Sequence, residues 1–315
     1  MFTRLAWIGW TGAALLSITA GCASIARHGP PAGAVRTLRH DGLDRTYVVH
    51  LPASYAEGKA YPLVLVLHGG GGEASSTARL TSMNRIADEH GFIVVYPNGI
   101  ERVWNDGRGV ERYRSQREDI DDVGFIAALI DELVSDGAVD RDRVYVTGLS
   151  NGGFMANRLG CQLADRVTAI APVIASMAEN VPETCDPSRA MPVLIVNGTA
   201  DPLVPWHGHE VRFGRRRFGR MLSTPELVRF WVSHNGCDSD ATVSWKPDRD
   251  PDDRTRVRVH VYSGCRDDVE VLLYEIQGGG HTWPGGSQYL PRFLIGRVSR
   301  DIIGSRVVWR FFSSY

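Results

Sequence analysis

A serine between glycines is the residue of this chain whose surroundings most clearly indicate chemistry. Residues 148–152 have the sequence Gly-Leu-Ser-Asn-Gly, between an apolar run at 144–147 that predicts a strand and a predicted helix from Gly152 to Leu163. In a sharp strand-to-helix turn, neighbours without Cβ atoms let the two elements approach and expose the serine hydroxyl at the sheet edge. Because a serine hydroxyl is a weak nucleophile unless a base lies within hydrogen-bond reach, Ser150 needs a histidine partner.

Chain order selects the base and the acid. When a nucleophile occupies such a turn in an α/β-hydrolase, the acid follows it in the chain and the histidine comes last. His281 lies in the glycine-rich segment 278–286, after a strand that is predicted to end at Gln277. Asp201 lies in the loop after the predicted strand Val193–Val196. We therefore expect Asp201 to orient His281, which then takes the proton of Ser150.

Rival candidates for these roles are weaker. His207 and His209 have a spacing that suits a metal ion, but no nearby carboxylate or cysteine completes a ligand set, so no metal site is predicted. Asp238 and Asp268 lie in polar stretches near cysteines rather than after a buried strand. Asp201 and His281 stay the preferred pair.

Two segments are predicted to supply the oxyanion hole. One donor is the backbone N–H of Asn151, the residue after the nucleophile. The other comes from His-Gly-Gly-Gly-Gly at residues 68–72, where the backbone can approach a substrate oxygen closely; Gly69 and Gly70 are both candidates. No Gly-Lys-Ser/Thr follows, so these glycines do not form a phosphate-binding loop.

Strands and helices must alternate to place these segments at one sheet edge. Short apolar runs, 63–67 and 92–96 among them, alternate with helical stretches at 77–90 and 122–135. This pattern predicts an α/β fold with a mostly parallel central sheet and helices on both faces. A hairpin is predicted at 35–51 with an Asp-Gly turn, and a final helix at about 299–312.

Composition excludes some classes of function. The 35 basic and 36 acidic side chains nearly cancel, which argues against a nucleic-acid partner. The basic run from Arg212 to Arg220 carries no partner motif, and we expect it to be a solvated loop.

The N-terminus predicts export of a bacterial type. Arg4 precedes an uncharged apolar stretch, so residues 1–21 are predicted to be a signal peptide and 34–315 a single catalytic domain. Thr19-Ala20-Gly21-Cys22 is similar to a lipobox, although Thr19 stands where leucine is usual, and residues 22–33 are predicted to be a flexible tether. Lipidation of Cys22, the only membrane contact expected, is favoured over plain secretion and over an uncleaved anchor.

Four further cysteines suit an oxidising compartment. They allow three pairings, and proximity in the sequence favours Cys161–Cys185 and Cys237–Cys265, with four buried free thiols as the alternative.

From about residue 35 to 312 the chain resembles the esterases grouped with polyhydroxybutyrate depolymerases and with feruloyl or acetylxylan esterases. The resemblance rests on residues 67–72, 96–99, 121–125, 148–152, 197–201 and 280–284. It implies an α/β-hydrolase fold, Ser150, Asp201 and His281 as catalytic residues, and no cofactor. Members often show a cysteine pair that corresponds to Cys237 and Cys265.

These observations predict an exported serine esterase that hydrolyses hydroxycinnamate, acetyl or short hydroxyalkanoate esters, small or oligomeric, through an acyl-enzyme. A polyester depolymerase, a peptidase, an acyltransferase and a noncatalytic binding protein on the same fold are the alternatives. Trp104, Trp206 and Trp283 lie in or beside loops at the expected active edge, where they either contact substrate or pack the core.

Overall fold

A computed structural model describes residues 33–213 and 215–315 of the chain. The predicted signal at 1–21, Cys22 and the predicted tether up to residue 32 lie outside the described residues. The described strands are β1 (Val35–His40), β2 (Leu43–His50), β3 (Tyr61–Leu67), β4 (Ile93–Pro97), β5 (Val139–Leu149), β6 (Ala169–Val173), β7 (Val193–Gly198), β8 (His209–Phe213), β9 (Arg216–Met221), β10 (Thr242–Trp245), β11 (Arg256–Tyr262) and β12 (Val271–Gln277).

The α-helices of the described residues connect and cover these strands. They are α1 (Ala74–Thr81), α2 (Met83–His90), α3 (Arg114–Arg117), α4 (Asp122–Ser135), α5 (Asn151–Gln162), α6 (Thr224–Asn235), α7 (Arg292–Ile295) and α8 (Gly304–Phe312). Short 3₁₀ turns lie at Ile100–Arg102, Val181–Glu183, Pro251–Asp253 and Arg266–Asp268. Within residues 33–213 and 215–315, no helix combines the length and apolarity needed to cross a bilayer.

Ten strands form one sheet in the order β1-β2-β4-β3-β5-β6-β7-β12-β11-β10, and β8 pairs with β9 in a separate hairpin. The six central strands, β4 to β12 in that order, are parallel, whereas the pairings at both edges are antiparallel. The predicted fold class is therefore confirmed. Parallel pairing brings the carboxyl ends of the central strands to one edge, where sites of such sheets form.

Alternate residues of the central strands supply two apolar cores. On β3, Leu63 and Leu65 face the core beneath α4, α5 and α6, whereas Val64 and Val66 face the core beneath α2 and α8. A strand buried on both faces has a continuous apolar sequence, which is the pattern from which the run at 63–67 was predicted.

Some predicted element bounds were wrong. The single helix expected at 77–90 is two helices, because Ser82 adopts a left-handed conformation (φ 51°) between them. The final helix begins at Gly304 rather than near residue 299, since Ile303 is extended and the Gly304 N–H donates to the carbonyl of Pro284. The hairpin, the turn at Asp41-Gly42 and the helix at 122–135 agree with their predictions.

Both favoured disulfides are present in the structure. Cys161, in the last turn of α5, bonds to Cys185, and Cys237, just after α6, bonds to Cys265. The bonds join α5 and α6 to the loops packed beside them.

Candidate active site

Ser150 occupies the junction between β5 and α5 in a strained conformation. Its φ of 54° and ψ of −124° lie in a region that residues with a Cβ seldom adopt. The flanking glycines are required by close approach: an added Cβ at Gly148 would overlap the carbonyl of Gly152, and one at Gly152 would overlap the carbonyl of Leu67. The strand, the turn and the helix can meet in this way only without those side chains.

Asp201 and His281 are in direct contact. Asp201 Oδ2 lies 2.8 Å from His281 Nδ1, and both side chains are almost fully buried. The other oxygen of Asp201 accepts the N–H groups of Leu203 and Val204, each at 2.8 Å. With both carboxylate oxygens engaged, Asp201 holds the proton of His281 on Nδ1 and leaves Nε2 with a free lone pair.

The strand order explains why these two residues meet across 80 positions of sequence. Asp201 follows β7 and His281 follows β12, which are adjacent parallel strands. The two loops touch where Gly198 faces Gly279 and Gly280, since a Cβ at Gly198 would overlap the Gly279 carbonyl. The His281 loop is held by its own N–H, which donates to the carbonyl of Ile295 at 2.6 Å.

The side chain of His68 holds the glycine loop after β3 in place. Nδ1 of His68 donates to the carbonyl of Gly69 (2.8 Å), while Nε2 accepts the N–H of Gly99 (2.9 Å). Burial lowers the pKa of His68 to about 4, so the ring is neutral and can make both bonds at once. The indole N–H of Trp104 donates to the carbonyl of His68 at 3.0 Å.

Holding these carbonyls orients the loop. The C=O and N–H of a trans peptide point in opposite directions. The N–H of Gly69 therefore points away from the Trp104 indole, and the N–H of Gly70 points away from the His68 ring. Both glycines line a cavity together with Asn151. Asn151 is the first residue of α5, where backbone N–H groups have no acceptor within the helix.

That cavity has a volume of about 800 Å³ and also exposes Ser150 and His281. Apolar and aromatic side chains form its sides, Leu203, Val204, Val211, Phe218 and Tyr289 among them. Tyr289 also donates to the carbonyl of His281 at 2.9 Å, and burial raises the pKa of its hydroxyl. The arrangement combines a serine, a carboxylate-bound imidazole and two sets of N–H groups around a space that fits a small ligand.

The structure places none of the three candidate tryptophans on the cavity wall. Trp104 and Trp283 are fully buried with their indole N–H groups satisfied by His68 and Ser305. Trp206 is half-buried and packs on the core beneath α6. The prediction that Trp104 or Trp283 contacts substrate is corrected, because neither ring has surface left for a ligand.

A buried polar network behind the nucleophile escaped the sequence reasoning. The Asn151 side chain binds both backbone groups of Trp104, at 2.8 and 3.1 Å, and donates to Asp106 at 2.6 Å. Asp106 in turn pairs with Arg108 at 2.6 Å. The one signal that the sequence offered was the polar cluster Asn105-Asp106-Gly107-Arg108 ahead of the nucleophile.

The aspartate pair at the start of α4 fixes the same segment. Asp121 caps the helix by accepting the Gly124 N–H, and Asp122 accepts the Asn105 N–H at 2.6 Å. Asp122 is fully buried beside Arg45, and burial raises its pKa. Through the bond to Asn105, Asp122 helps to position the segment that contacts Asn151.

The basic run predicted to be a solvated loop is instead the hairpin β8–β9. Its apolar residues Val211 and Phe218 line the cavity, as does Arg212, while Arg216, Arg217 and Arg220 are exposed. The rival residues Asp238, Asp268, His207 and His209 do not line the cavity. In the described part of the chain, no group of three or more histidine, cysteine, aspartate or glutamate residues could hold a metal ion.

Known proteins share both the fold and the sequence pattern. The sequence model of the family "Esterase PHB depolymerase" matches residues 45–205, just over half of the chain. The protein of Nocardia uniformis subsp. tsuyamanensis named "Putative esterase NocK" is 32% identical over 287 residues, which cover 87% of this chain and 81% of that one. Feruloyl esterase B of Piromyces equi is 30% identical over 244 residues, which cover 76% of this chain and 42% of that longer protein.

A solved structure shares the fold. Acetyl xylan esterase from Aspergillus awamori superimposes with a TM-score of 0.60 at 14% identity, over 90% of this chain and 100% of that one, which shows a shared fold. The fold is that of an α/β-hydrolase. The chain belongs to the PHB depolymerase family of esterases and is a carboxylic ester hydrolase.

Proposed function

We propose that the chain is a serine esterase in which Ser150 is the nucleophile, His281 the general base and Asp201 the acid that orients it. The observation that carries the proposal is the 2.8 Å contact between His281 Nδ1 and Asp201 at a cavity that also exposes Ser150. The same cavity is lined by Asn151, Gly69 and Gly70, which act as the oxyanion hole in this proposal.

The reaction proceeds in two steps. Ser150 Oγ attacks the ester carbonyl carbon while His281 Nε2 takes the hydroxyl proton. The resulting oxyanion accepts hydrogen bonds from the N–H groups of Asn151 and of the glycine loop. Each such donor contributes about 3–4 kcal/mol to transition-state binding. His281 then gives its proton to the leaving alcohol oxygen. Water, deprotonated by His281, attacks the acyl carbon; the bond to Ser150 Oγ then breaks, His281 returns the proton to Oγ and the acid is released.

Hydroxycinnamate, acetyl and short hydroxyalkanoate esters are the proposed substrates. Relatives named feruloyl esterase and acetylxylan esterase/xylanase support the first two classes, and the family name supports the third. A cavity of about 800 Å³ fits a drug-sized or oligomeric ester, the size range of ordinary small-molecule sites. Cleavage of polyester chains is the alternative, and activity on polymer films against soluble trimers separates the two.

Export and a single catalytic domain at 34–315 are parts of the same proposal. Two disulfides support export, because such bonds persist in oxidising compartments. Lipidation of Cys22 remains a prediction. Metabolic labelling with a radioactive fatty acid tests it, with Cys22→Ser as the control.

Replacing Ser150 by alanine tests the catalytic assignment. We expect Ser150→Ala to fold as the parent does and to lose hydrolysis of 4-nitrophenyl acetate, methyl ferulate, acetylated xylan and hydroxybutyrate oligomers alike. A matched control is Ser176→Ala: Ser176 is buried, donates to the carbonyl of Leu222 at 2.7 Å and does not line the cavity. Rates of ester hydrolysis in Ser150→Ala equal to those of the parent would contradict the proposal.

A further inference from the structure

The cavity around Ser150 has a strongly one-sided charge. Four arginines line it, Arg79, Arg102, Arg108 and Arg212, and no aspartate or glutamate is among its described lining residues. The chain as a whole carries nearly equal numbers of basic and acidic side chains, so the lining of this cavity departs from the average of the chain. A cleft lined by one sign of charge attracts ligands of the opposite sign.

Two of the four arginines already have counter-ions inside the protein. Arg108 is almost fully buried and binds Asp106 at 2.6 Å, and Arg212 pairs with Glu210 at 2.5 Å. Asp106 and Glu210 offset much of these two charges. They shape the wall, but a ligand gains less from them.

Arg79 and Arg102 are different. Among residues 33–213 and 215–315, no carboxylate oxygen forms an ion pair with either arginine within 4.0 Å. Both residues are exposed. Each therefore presents an uncompensated positive charge at the cavity.

The backbone holds Arg102 beside the glycine loop. Its carbonyl accepts the N–H of Gly71 at 2.8 Å, and its Nε donates to the carbonyl of Gly72 at 3.3 Å. Arg102 and the preceding Glu101 both adopt left-handed conformations, with φ of 66° and 49°. Such conformations are unfavourable for residues with a Cβ and persist only where surrounding contacts hold them.

Arg79 reaches the cavity from α1. It lies in the last turn of α1, next to Leu80, which also lines the cavity. The carbonyl of Leu80 packs against Gly286, where an added Cβ would lie 3.0 Å from it, so this wall adjoins the loop that carries His281. The two unpaired arginines thus line the same cavity as Ser150.

We infer that this site selects esters that carry a carboxylate, an inference that rests on the proposed esterase function. A carboxylate in the acyl or alcohol half can accept hydrogen bonds from the guanidinium groups of Arg79 and Arg102 while Ser150 attacks the neutral ester carbonyl. Of the proposed substrates, short hydroxyalkanoate oligomers have this chemistry, since each has one free carboxyl end. Simple acetyl and methyl esters do not have it.

Two matched pairs of activated esters test the inference. The first compares mono-4-nitrophenyl adipate with the ester whose free carboxylate is replaced by a primary amide, so the charge differs in the acyl half. The second compares 4-acetoxybenzoate with 4-acetoxybenzamide, so it differs in the alcohol half, each rate being divided by that of hydroxide hydrolysis. We expect kcat/KM for the acid to exceed that for the amide about tenfold in at least one pair at low salt, and the ratio to fall towards one at about 0.5 M NaCl.

Variants then assign the preference. Arg79→Gln and Arg102→Gln should each lower the acid-to-amide ratio about threefold or more, whereas Arg85→Gln should leave it unchanged. Arg85 is an exposed arginine of α2 that lies outside the cavity lining, and its loss changes the net charge equally. The amide ester is the reference in each variant, so general damage to the enzyme cancels from the ratio.

A ratio near one in both pairs, in a parent enzyme that Ser150→Ala inactivates, overturns this inference and leaves the esterase proposal standing. A ratio that survives in the Arg79→Gln/Arg102→Gln double variant also overturns it. Activity that survives in Ser150→Ala overturns the esterase proposal instead.

Discussion

Replacing Asp201 by asparagine should put the proton on the wrong nitrogen of His281. One oxygen of Asp201 is committed to the N–H groups of Leu203 and Val204, so the carbonyl oxygen of an asparagine must take that place. Its NH₂ group then faces His281 Nδ1, where the aspartate oxygen had been. Two donors cannot face each other, so His281 must carry its proton on Nε2 and can no longer accept the proton of Ser150.

The expected loss can be stated. A serine hydrolase whose base is held in the wrong tautomer loses roughly 10⁴ in kcat. At 1.36 kcal/mol for each factor of ten, this is about 5 kcal/mol of transition-state stabilisation. Folding should change by less than about 1.5 kcal/mol, because the side chains have the same shape and the loop keeps its two backbone bonds.

Steady-state hydrolysis of 4-nitrophenyl butyrate and urea denaturation measure the two effects separately. Asp268→Asn is the matched control: the residue is exposed, was a rival for the same role and does not line the cavity. An Asp201→Asn enzyme within tenfold of the parent kcat would refute the assignment of Asp201.

Three further predictions concern the surroundings of the site and the stability of the fold. Trp104→Phe removes the donor to the His68 carbonyl, so we expect kcat to fall about tenfold with little change in KM; a change confined to KM would contradict a positioning role. His68 binds fewer protons folded than unfolded between its pKa of about 4 and its ordinary value of 6.5, so acidification destabilises the fold. Between pH 7 and pH 4.5 the parent should lose about 2 kcal/mol more of its free energy of unfolding than His68→Gln does, as measured by urea denaturation. An equal loss in the two proteins would contradict this. Replacing Cys237 and Cys265 by serine should lower the free energy of unfolding by about 3–4 kcal/mol, as expected for a disulfide that spans 28 positions, and a reductant should then have no further effect at that loop.

The sequence located the candidate site because its key residues follow buried strands. The order of Ser150, Asp201 and His281 along the chain, each after a recognisable apolar run, sufficed to predict that they share one sheet edge. The contact between Asp201 and His281 agrees with that prediction. Glycines at positions 148, 152 and 198 were informative because each is required by a close backbone approach.

What the sequence could not supply was the orientation of side chains in the irregular segments. Trp104 lies in a polar segment, and the sequence left substrate contact and core packing both open; in the structure, hydrogen bonds to Asn151 and His68 hold it in the core. The run of arginines at 212–220 is polar by composition, yet Val211 and Phe218 turn one side of it towards the cavity. Both outcomes depend on contacts between segments far apart in the sequence, which local patterns do not encode.

The most direct test of the account is to find the residue that becomes covalently modified. The parent enzyme is treated with a fluorophosphonate until hydrolysis stops, then digested and analysed by tandem mass spectrometry. The account predicts one phosphonyl group per chain, on Ser150, with labelling slowed in Asp201→Asn and absent in Ser150→Ala. Inactivation with the adduct on any other residue, or full activity in enzyme labelled at Ser150, would contradict it.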